Sequence, residues 1–254
     1  MDYGLAGKVA IVTGTASQIG IGRTICLTLA KEGCDIVSAD MNLEGAEQTA
    51  AAVRSLGRRA VAVKVDVSHS PETDEMAKAA LKEFGKIDIL VNAAGVASGG
   101  QVPFLQSKQE TWEKDMAVNV YGTMNCSKAV IPAMVERKYG KIVNFSSIAA
   151  RLALLGSYSP AKAAVIAFTR GLATQYGPDG INANAVAPGM VATNFFGPQG
   201  DRTAKMFEGM AARVPTRRIQ TVEDVANAVA FLVSDVSRSI TGQCLQVDSG
   251  MVMQ

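Results

Sequence analysis

The sequence predicts an α/β fold built as one doubly wound, mostly parallel sheet with helices on both faces. Three observations carry this. Short β-branched runs alternate with amphipathic segments almost without interruption, which calls for right-handed crossovers and a sheet covered on both sides. The strand runs are near-continuously apolar, as expected when both faces are buried. The first run leads into a glycine-rich turn, "VTGTASQIGIG", that opens a helical pattern.

Taken in order, the strand runs are "KVAIVT", "CDIVSAD", "AVAVKVDV", "IDILVNAAG", "GKIVNFSS", "INANAVAPG" and "QCLQVDSG". Gly, Asp or Asn bounds each of them, the residues that end strands and start turns. Amphipathic spacing predicts helices over Arg23–Glu32, Leu43–Leu56, Pro71–Phe84, a long one near Gln109–Arg137, then Ser157–Tyr176 and Val222–Ser234. Met190–Arg217 is irregular, rich in Gly, Phe, Met and charge, and a connection that long reads as a lid or binding loop. No linker, repeat or low-complexity tract divides the chain, so residues 1–254 read as a single domain, with 190–217 as its lid region.

Composition narrows the function. Hydrophobic residues make up 48% and charged ones 19%, with a formal net charge of +2. That is a soluble globular balance, with no field suited to nucleic acid or an anionic membrane surface. No apolar run approaches the ~18 residues of a span, and no basic-then-apolar start marks a leader. A cytoplasmic protein without membrane or nucleic-acid partners is expected. Cys26, Cys34, Cys126 and Cys244 are scattered and read as buried thiols; a zinc site needs clustered ligands, so no metal is expected. The single histidine, His69, sits in a turn-like "SHSPE", where it caps or decorates the next helix. That placement argues against a Ser-His-Asp hydrolase.

In a doubly wound sheet, ligands bind beyond the carboxyl ends of the strands, where strand order reverses. The first turn lies there. Gly14 lets the chain turn sharply, and Gly20 and Gly22, flanking Ile21, let backbone approach a pyrophosphate. The helix that follows offers unpaired N–H groups and a partial positive charge. The spacing matches neither G-x-G-x-x-G nor the Lys-containing phosphate loop; Ser17 and Gln18 occupy the middle of the loop. Asp40, with Met41 beside it, ends the second strand, where a carboxylate accepts from adenosine ribose hydroxyls and repels a 2′-phosphate. Asp66-Val67, ending the third strand, is placed to meet the adenine ring.

Tyr158 and Lys162 in "GSYSPAKAAVIAFTR" stand four apart at a helix start, on one face and one turn apart. A neighbouring ammonium favours phenolate and lowers the tyrosine pKa, so the pair can act as a general acid/base. Ser146 and Ser147 end the strand "IVNFSS" on the rim that also carries the glycine loop. Asn119 falls inside the long predicted helix, where Asn is a mediocre helix former; a break or a bound water would account for it.

These residues together resemble the short-chain dehydrogenase/reductase family, over essentially the whole chain. The landmarks run in order: Thr13-Gly14 with Gly20-Ile21-Gly22; Asp66-Val67; Asn92-Ala93-Ala94-Gly95; Asn119-Val120-Tyr121-Gly122; Ser146-Ser147; Tyr158 to Lys162; Asn184 to Pro188-Gly189; and Thr193. The resemblance implies a seven-stranded parallel sheet in the order 3-2-1-4-5-6-7. It implies Tyr158 as general acid/base on the substrate oxygen, Lys162 lowering its pKa and binding the nicotinamide ribose, and Ser147 hydrogen-bonding the carbonyl or alkoxide. It implies Asn119 holding a relay water, and Pro188-Gly189, Val191 and Thr193 positioning the nicotinamide. NAD(H) is the implied cofactor, since Asp40 is present and the loop carries no basic residue. A homotetramer built from the long fourth and fifth helices and the last strand is the implied assembly.

Three departures stand out. The glycine loop is two residues longer than the family's T-G-x-x-x-G-x-G. The catalytic serine, Ser147 by local match or Ser146, lies closer to Tyr158 than is usual, implying a shortened Ile148–Ser157 loop at the substrate. "NAAG" replaces the usual "NNAG". The expected reaction interconverts a small secondary alcohol and its ketone, with substrate entering between Val96–Phe104, Ile148–Ser157 and the lid. Arg151 would bind an anionic substrate; Phe195, Phe196, Met206 and Met210 would instead favour a cyclic or aromatic one. Two other readings stay open: an NADPH-dependent 3-ketoacyl reductase acting on a carrier-protein or coenzyme A thioester, with Arg213, Arg217 and Arg218 at its entrance, and a non-catalytic nucleotide-sensing regulator.

Overall fold

Seven short runs pair into one sheet of parallel strands, β1 Val9–Thr13, β2 Asp35–Asp40, β3 Ala60–Lys64, β4 Ile89–Asn92, β5 Gly140–Phe145, β6 Ile181–Pro188 and β7 Cys244–Val247. The computed structural model describes residues 2–99, 102–152, 156–196 and 201–253, with the side chains of 196 and 201–204 outside that description. The spatial order is β3-β2-β1-β4-β5-β6-β7, as the family resemblance implies. Apolarity follows position: every residue of the central strands β1, β4 and β5 is buried, while the edge strands β3 and β7 are mostly half-exposed. A strand covered on both faces has no solvent side on which to place polar residues.

The helices divide between two cores. On one face α1 (Ile21–Lys31), α2 (Leu43–Ser55) and α8 (Val222–Val233) bury Ile25, Leu29, Val53, Val225 and Val229 against the sheet. On the other, α3 (Ser70–Phe84), α5 (Gly122–Arg137) and α6 (Tyr158–Tyr176) bury Met76, Ala80, Val130, Met134 and Leu172. The ends are locally encoded. Thr221 and Asp224 form a reciprocal capping box at α8, and α3 ends at Gly85 in the left-handed conformation. His69 occupies the cap position of α3 without a side-chain cap bond, and its ring lies 3.2 Å from Glu72 instead.

Two predicted elements differ in detail. The single helix expected over Gln109–Arg137 is α4 (Gln109–Met116), a π-helical turn (Ala117–Tyr121) and α5, with helical backbone at both junctions. The wide turn falls on Asn119, so the suspected break is an extra-residue turn. The Met190–Arg217 segment is not wholly irregular: it carries a short 3₁₀ turn, Asn194–Phe196, and the helix α7, Asp201–Ala211.

Candidate active site

The carboxyl ends of β1, β4, β5 and β6 converge where the order reverses between β1 and β4. Two hollows lie there, both bordered by Gly95. The larger, about 420 Å³, is bordered by Gly14, Asp40, Met41, Asp66, Val67 and Ala94. The smaller, about 100 Å³, is bordered by Ile21, Ala93, Ser147, Tyr158, Lys162, Pro188, Gly189, Val191, Thr193 and Phe195.

Gly14 turns the chain with φ +74°, and a Cβ there would sit 2.8 Å from the Ala94 backbone nitrogen. At Gly22 a Cβ would overlap the Gly14 carbonyl oxygen. Both positions need glycine because backbone crosses backbone. α1 then begins with no side-chain cap and no acidic residue in its first turn, leaving its N-terminus suited to an anion.

The lengthened loop folds away from the hollows. Thr15 is buried against β2 and α2: its hydroxyl accepts from Ser38 Oγ at 2.8 Å, and its carbonyl accepts from Thr49 Oγ1 at 2.8 Å. Gln18 is exposed and donates to the carbonyls of Ala16, at 3.0 Å, and Gly45, at 3.4 Å. Ser17 is exposed and closes a turn by accepting from Gly20 N–H. Neither Ser17 nor Gln18 borders a hollow, contrary to the cofactor contacts expected of them. Asp40 holds the loop in place: Oδ2 accepts from Ala16 N–H at 2.9 Å and Oδ1 from Asn42 N–H at 3.0 Å.

The fit to a dinucleotide rests on these features together. Two hollows lie side by side across the strand reversal, a glycine turn and an uncapped helix start lie at their border, and an acid stands at the end of β2. Asp66 borders the larger hollow, but its carboxylate accepts from Ser68 N–H and Oγ at 2.9 and 2.7 Å. Asn92 departs from expectation. It is buried and donates to Ser127 Oγ at 3.3 Å and Asn144 Oδ1 at 2.9 Å, so it braces β4 and β5 from below while Ala93, Ala94 and Gly95 face the cavity.

In the smaller hollow, Tyr158 and Ser147 border the same space, with the serine hydroxyl close enough to favour the phenolate and accepting from Ala149 N–H at 3.1 Å. Ser146 also borders the hollow, but its hydroxyl donates to the Lys162 carbonyl at 2.9 Å. Ser146 is therefore committed to bracing α6, which leaves the Ser147 hydroxyl beside Tyr158. Lys162 is buried; its Nζ donates to Phe145 O at 2.8 Å and lies 5.5 Å from the Tyr158 ring centroid. Burial pulls the Lys162 ammonium down to about 8, with the Asp115 charge opposing. Burial likewise pushes the Tyr158 phenol up to about 12; the Ser147 hydrogen bond pulls it down and Asp115 pushes it up. Desolvation sets the direction here, and the expected depression of the phenol by Lys162 is not among the influences on it.

Asn119 is buried within the π turn, and its amide is fully engaged. Oδ1 accepts from Val96 N–H at 3.2 Å, and Nδ2 donates to the carbonyls of Val96 and Asp115, both at 2.8 Å. The side chain thus knits the loop after β4 to the helix. The Phe195 ring tilts over Tyr158, centroids 6.0 Å apart. Two residues expected at the substrate lie off the border of this hollow. Arg151 donates to Gln246 Oε1 at 3.0 Å and bonds Cys244, both on β7, and does not border the hollow. Met206 lies exposed on α7, away from the hollow's border. Residues 153–155 and 197–200 and the side chain of Phe196 lie outside the described residues.

Sequence reasoning missed Asp115 and Ser157. Asp115 is fully buried, and its Oδ2 accepts from Ser157 Oγ at 2.6 Å. A signal existed: Asp115, Asn119, Thr123 and Ser127 recur every four residues, a polar stripe along one helix face, and all four are buried.

A family model described as enoyl-(acyl carrier protein) reductase matches residues 14–252. The chain belongs to the short-chain dehydrogenase/reductase family. It is 36% identical to a 3-oxoacyl-(acyl-carrier-protein) reductase of Synechocystis, over 98% of both chains. It is also 36% identical to subunit BbsD of the (2S)-((R)-hydroxy(phenyl)methyl)succinyl-CoA dehydrogenase of Thauera aromatica, over 97% of both chains. A putative short-chain alcohol dehydrogenase from Sinorhizobium meliloti superposes with a TM-score of 0.90 at 30% identity, over 98% of both chains. As a member of this family the chain is an oxidoreductase acting on CH–OH groups with a nicotinamide cofactor.

Proposed function

We propose that this single-domain protein is an NAD(H)-dependent dehydrogenase that interconverts a small secondary alcohol and its ketone. The observation that carries the reading is the Ser147–Tyr158–Lys162 cluster on the wall of the hollow adjoining the dinucleotide groove. Nicotinamide bound in that groove supplies the hydride acceptor or donor. Tyr158 moves the proton at its hydroxyl, taking it from the alcohol or returning it to the alkoxide oxygen. Ser147 holds the substrate oxygen beside Tyr158. Lys162, kept in place by Phe145 O, contributes positive charge under the phenol and a donor toward the ribose. Asn119 fixes the wall above them. Phe195 supplies an apolar lid over the reacting carbon, favouring a cyclic or aromatic alcohol. All four catalytic positions are filled, which disfavours a purely nucleotide-sensing role.

Asp40 favours NAD(H) over NADP(H). Its carboxylate would face the 2′-phosphate, and at ~4 Å with an effective dielectric near 20 the repulsion is about 4 kcal/mol. An absorbance screen over secondary alcohols, polyols, hydroxy acids and hydroxysteroids with both cofactors tests this. Turnover confined to NAD supports the reading; equal kcat/KM with NADP refutes it.

The relatives named for carrier-protein and coenzyme A substrates favour a second reading, reduction of a 3-ketoacyl thioester with NADPH. The entrance arginines support it weakly. Arg218 pairs with Asp224 at 2.7 Å, Arg217 donates back to the Ala212 carbonyl, and Arg213 is exposed. Acetoacetyl-coenzyme A turned over faster with NADPH than any simple ketone is with NADH would select it.

For assembly we propose a homotetramer, and for location the cytoplasm. Tyr121 (56% exposed) and Met124 (41%) beside and on α5 and Leu245 (39%) on the edge strand β7 present apolar surface where such pairing would occur. Among the described residues no helix is long and apolar enough to cross a membrane. A monomer by light scattering at micromolar concentration would refute the tetramer.

A further inference from the structure

Ser157 immediately precedes Tyr158 and occupies the cap position of α6. Its backbone is already helical, φ -79° and ψ -26°, so its side chain is free of the capping geometry. Here it makes no cap bond. Its hydroxyl donates instead to Asp115 Oδ2 at 2.6 Å, while the other carboxylate oxygen accepts from Ser98 N–H at 2.7 Å. Both are short bonds to a charged acceptor, the stronger kind. Asp115 is fully buried and Ser157 8% exposed, so water does not compete for them. The Asp115 carbonyl also accepts from Asn119 Nδ2 at 2.8 Å. One residue of α4 thereby ties together the loop after β4, the π turn and the first residue before the tyrosine.

Resting on the proposed function, we infer that Asp115 is a positioning residue for catalysis: through Ser157 it clamps the start of α6 so that Tyr158 stays beside Ser147, and through Ser98 it ties the loop after β4 to that helix start. The result is registry between two segments that come from different crossovers. The clamp also carries charge. Asp115 raises both Tyr158 and Lys162, the two titrating groups among the described residues bordering the hollow. The facing ends of β5 and β6 contribute Ser146, Ser147, Pro188 and Gly189, none of them charged. The buried carboxylate therefore holds the reacting pair in its proton-loaded form to higher pH than the site would otherwise allow.

Two substitutions separate clamp from charge. Ser157→Ala removes the tether and leaves the carboxylate. Asp115→Asn removes the charge; it is near-isosteric, so Oδ1 accepts from Ser98 N–H and the new amide donates to Ser157. Each is measured beside Tyr158→Phe, with kcat, KM and the pH profile on the best alcohol from the screen, NAD affinity by fluorescence titration, and Tm. Ser157→Ala should lower kcat about 10- to 100-fold, the scale of a small misplacement of a reacting group, with NAD affinity kept and the pH limb unmoved. Asp115→Asn should shift the limb for the general base to lower pH. A Ser157→Ala kcat within twofold of wild type, or an unmoved limb in Asp115→Asn, overturns the inference. So does a loss of kcat accompanied by an equal loss of NAD affinity and Tm, because that is damage to the fold alone. Tyr158→Phe tells the two failures apart: if it turns over normally, the proposed function fails; if it is inactive while both other variants behave as wild type, only the clamp fails.

Discussion

Replacing Lys162 with methionine should make the protein more stable and nearly inactive. Burial holds the ammonium at about 8, against an ordinary lysine value of 10.5. Between those values the unfolded chain binds more protons than the folded one, so this group's contribution to stability rises with pH. Below about 8 both states are charged and the full cost of burial is present, about 3 kcal/mol at ~1.4 kcal/mol per pKa unit. Above 10.5 both states are neutral and the cost is gone. Methionine has similar length and no charge to desolvate. Removing the bond from Nζ to Phe145 O gives back about 1 kcal/mol, leaving a net gain near ~2 kcal/mol at pH 7 that fades to roughly zero by pH 9.5. Urea unfolding of both proteins at equal protomer concentration, at the two pH values, measures it. The buried thiols of Cys26, Cys34 and Cys126 are raised by desolvation and act in the opposite sense, but they are common to both proteins and cancel in the difference. A methionine variant less stable than wild type at pH 7, or a difference that does not change with pH, would refute the reasoning.

The other expectations concern the same rim. Tyr158→Phe should cost about 10²–10⁴-fold in kcat while leaving NAD affinity by fluorescence titration unchanged; unaltered turnover would exclude the tyrosine as proton carrier. Gly22→Ala places a methyl into the Gly14 carbonyl, and forcing the two backbones apart should cost about 1–3 kcal/mol and weaken NAD binding; a wild-type Tm and Kd would show that the crossing is not tight. Asp40→Asn should narrow the NAD preference by removing the like charge, read as the ratio of kcat/KM for the two cofactors, and an unchanged ratio would move the selectivity elsewhere.

Much of this protein was determined by short-range pattern. Near-continuous apolar runs such as "DILVN" become central strands because both their faces are covered. The i, i+4 placement of Tyr158 and Lys162 survives because α6 starts at Tyr158 and helical spacing is a local property. Gly14 and Gly22 were legible because a sharp turn and a crossing of backbones leave few alternatives. Tertiary structure decided what depends on partners distant in the chain. Ser147 rather than Ser146 is left for Tyr158 because the Ser146 hydroxyl is committed to the Lys162 carbonyl, sixteen residues along the chain. The lengthened loop folds onto β2 and α2, where Ser38, Asp40 and Thr49 supply partners to Thr15 and Ala16, leaving the groove clear. Arg151 turns to Gln246 and Cys244 on β7, nearly a hundred residues along the chain, a choice no local spacing encodes. Asp115 reads in sequence as an ordinary acid on a polar helix. Only when the β4 loop and the start of α6 close over it does it become a buried carboxylate with both oxygens engaged, because burial and hydrogen-bond partners come from the assembled walls and not from its neighbours in the chain.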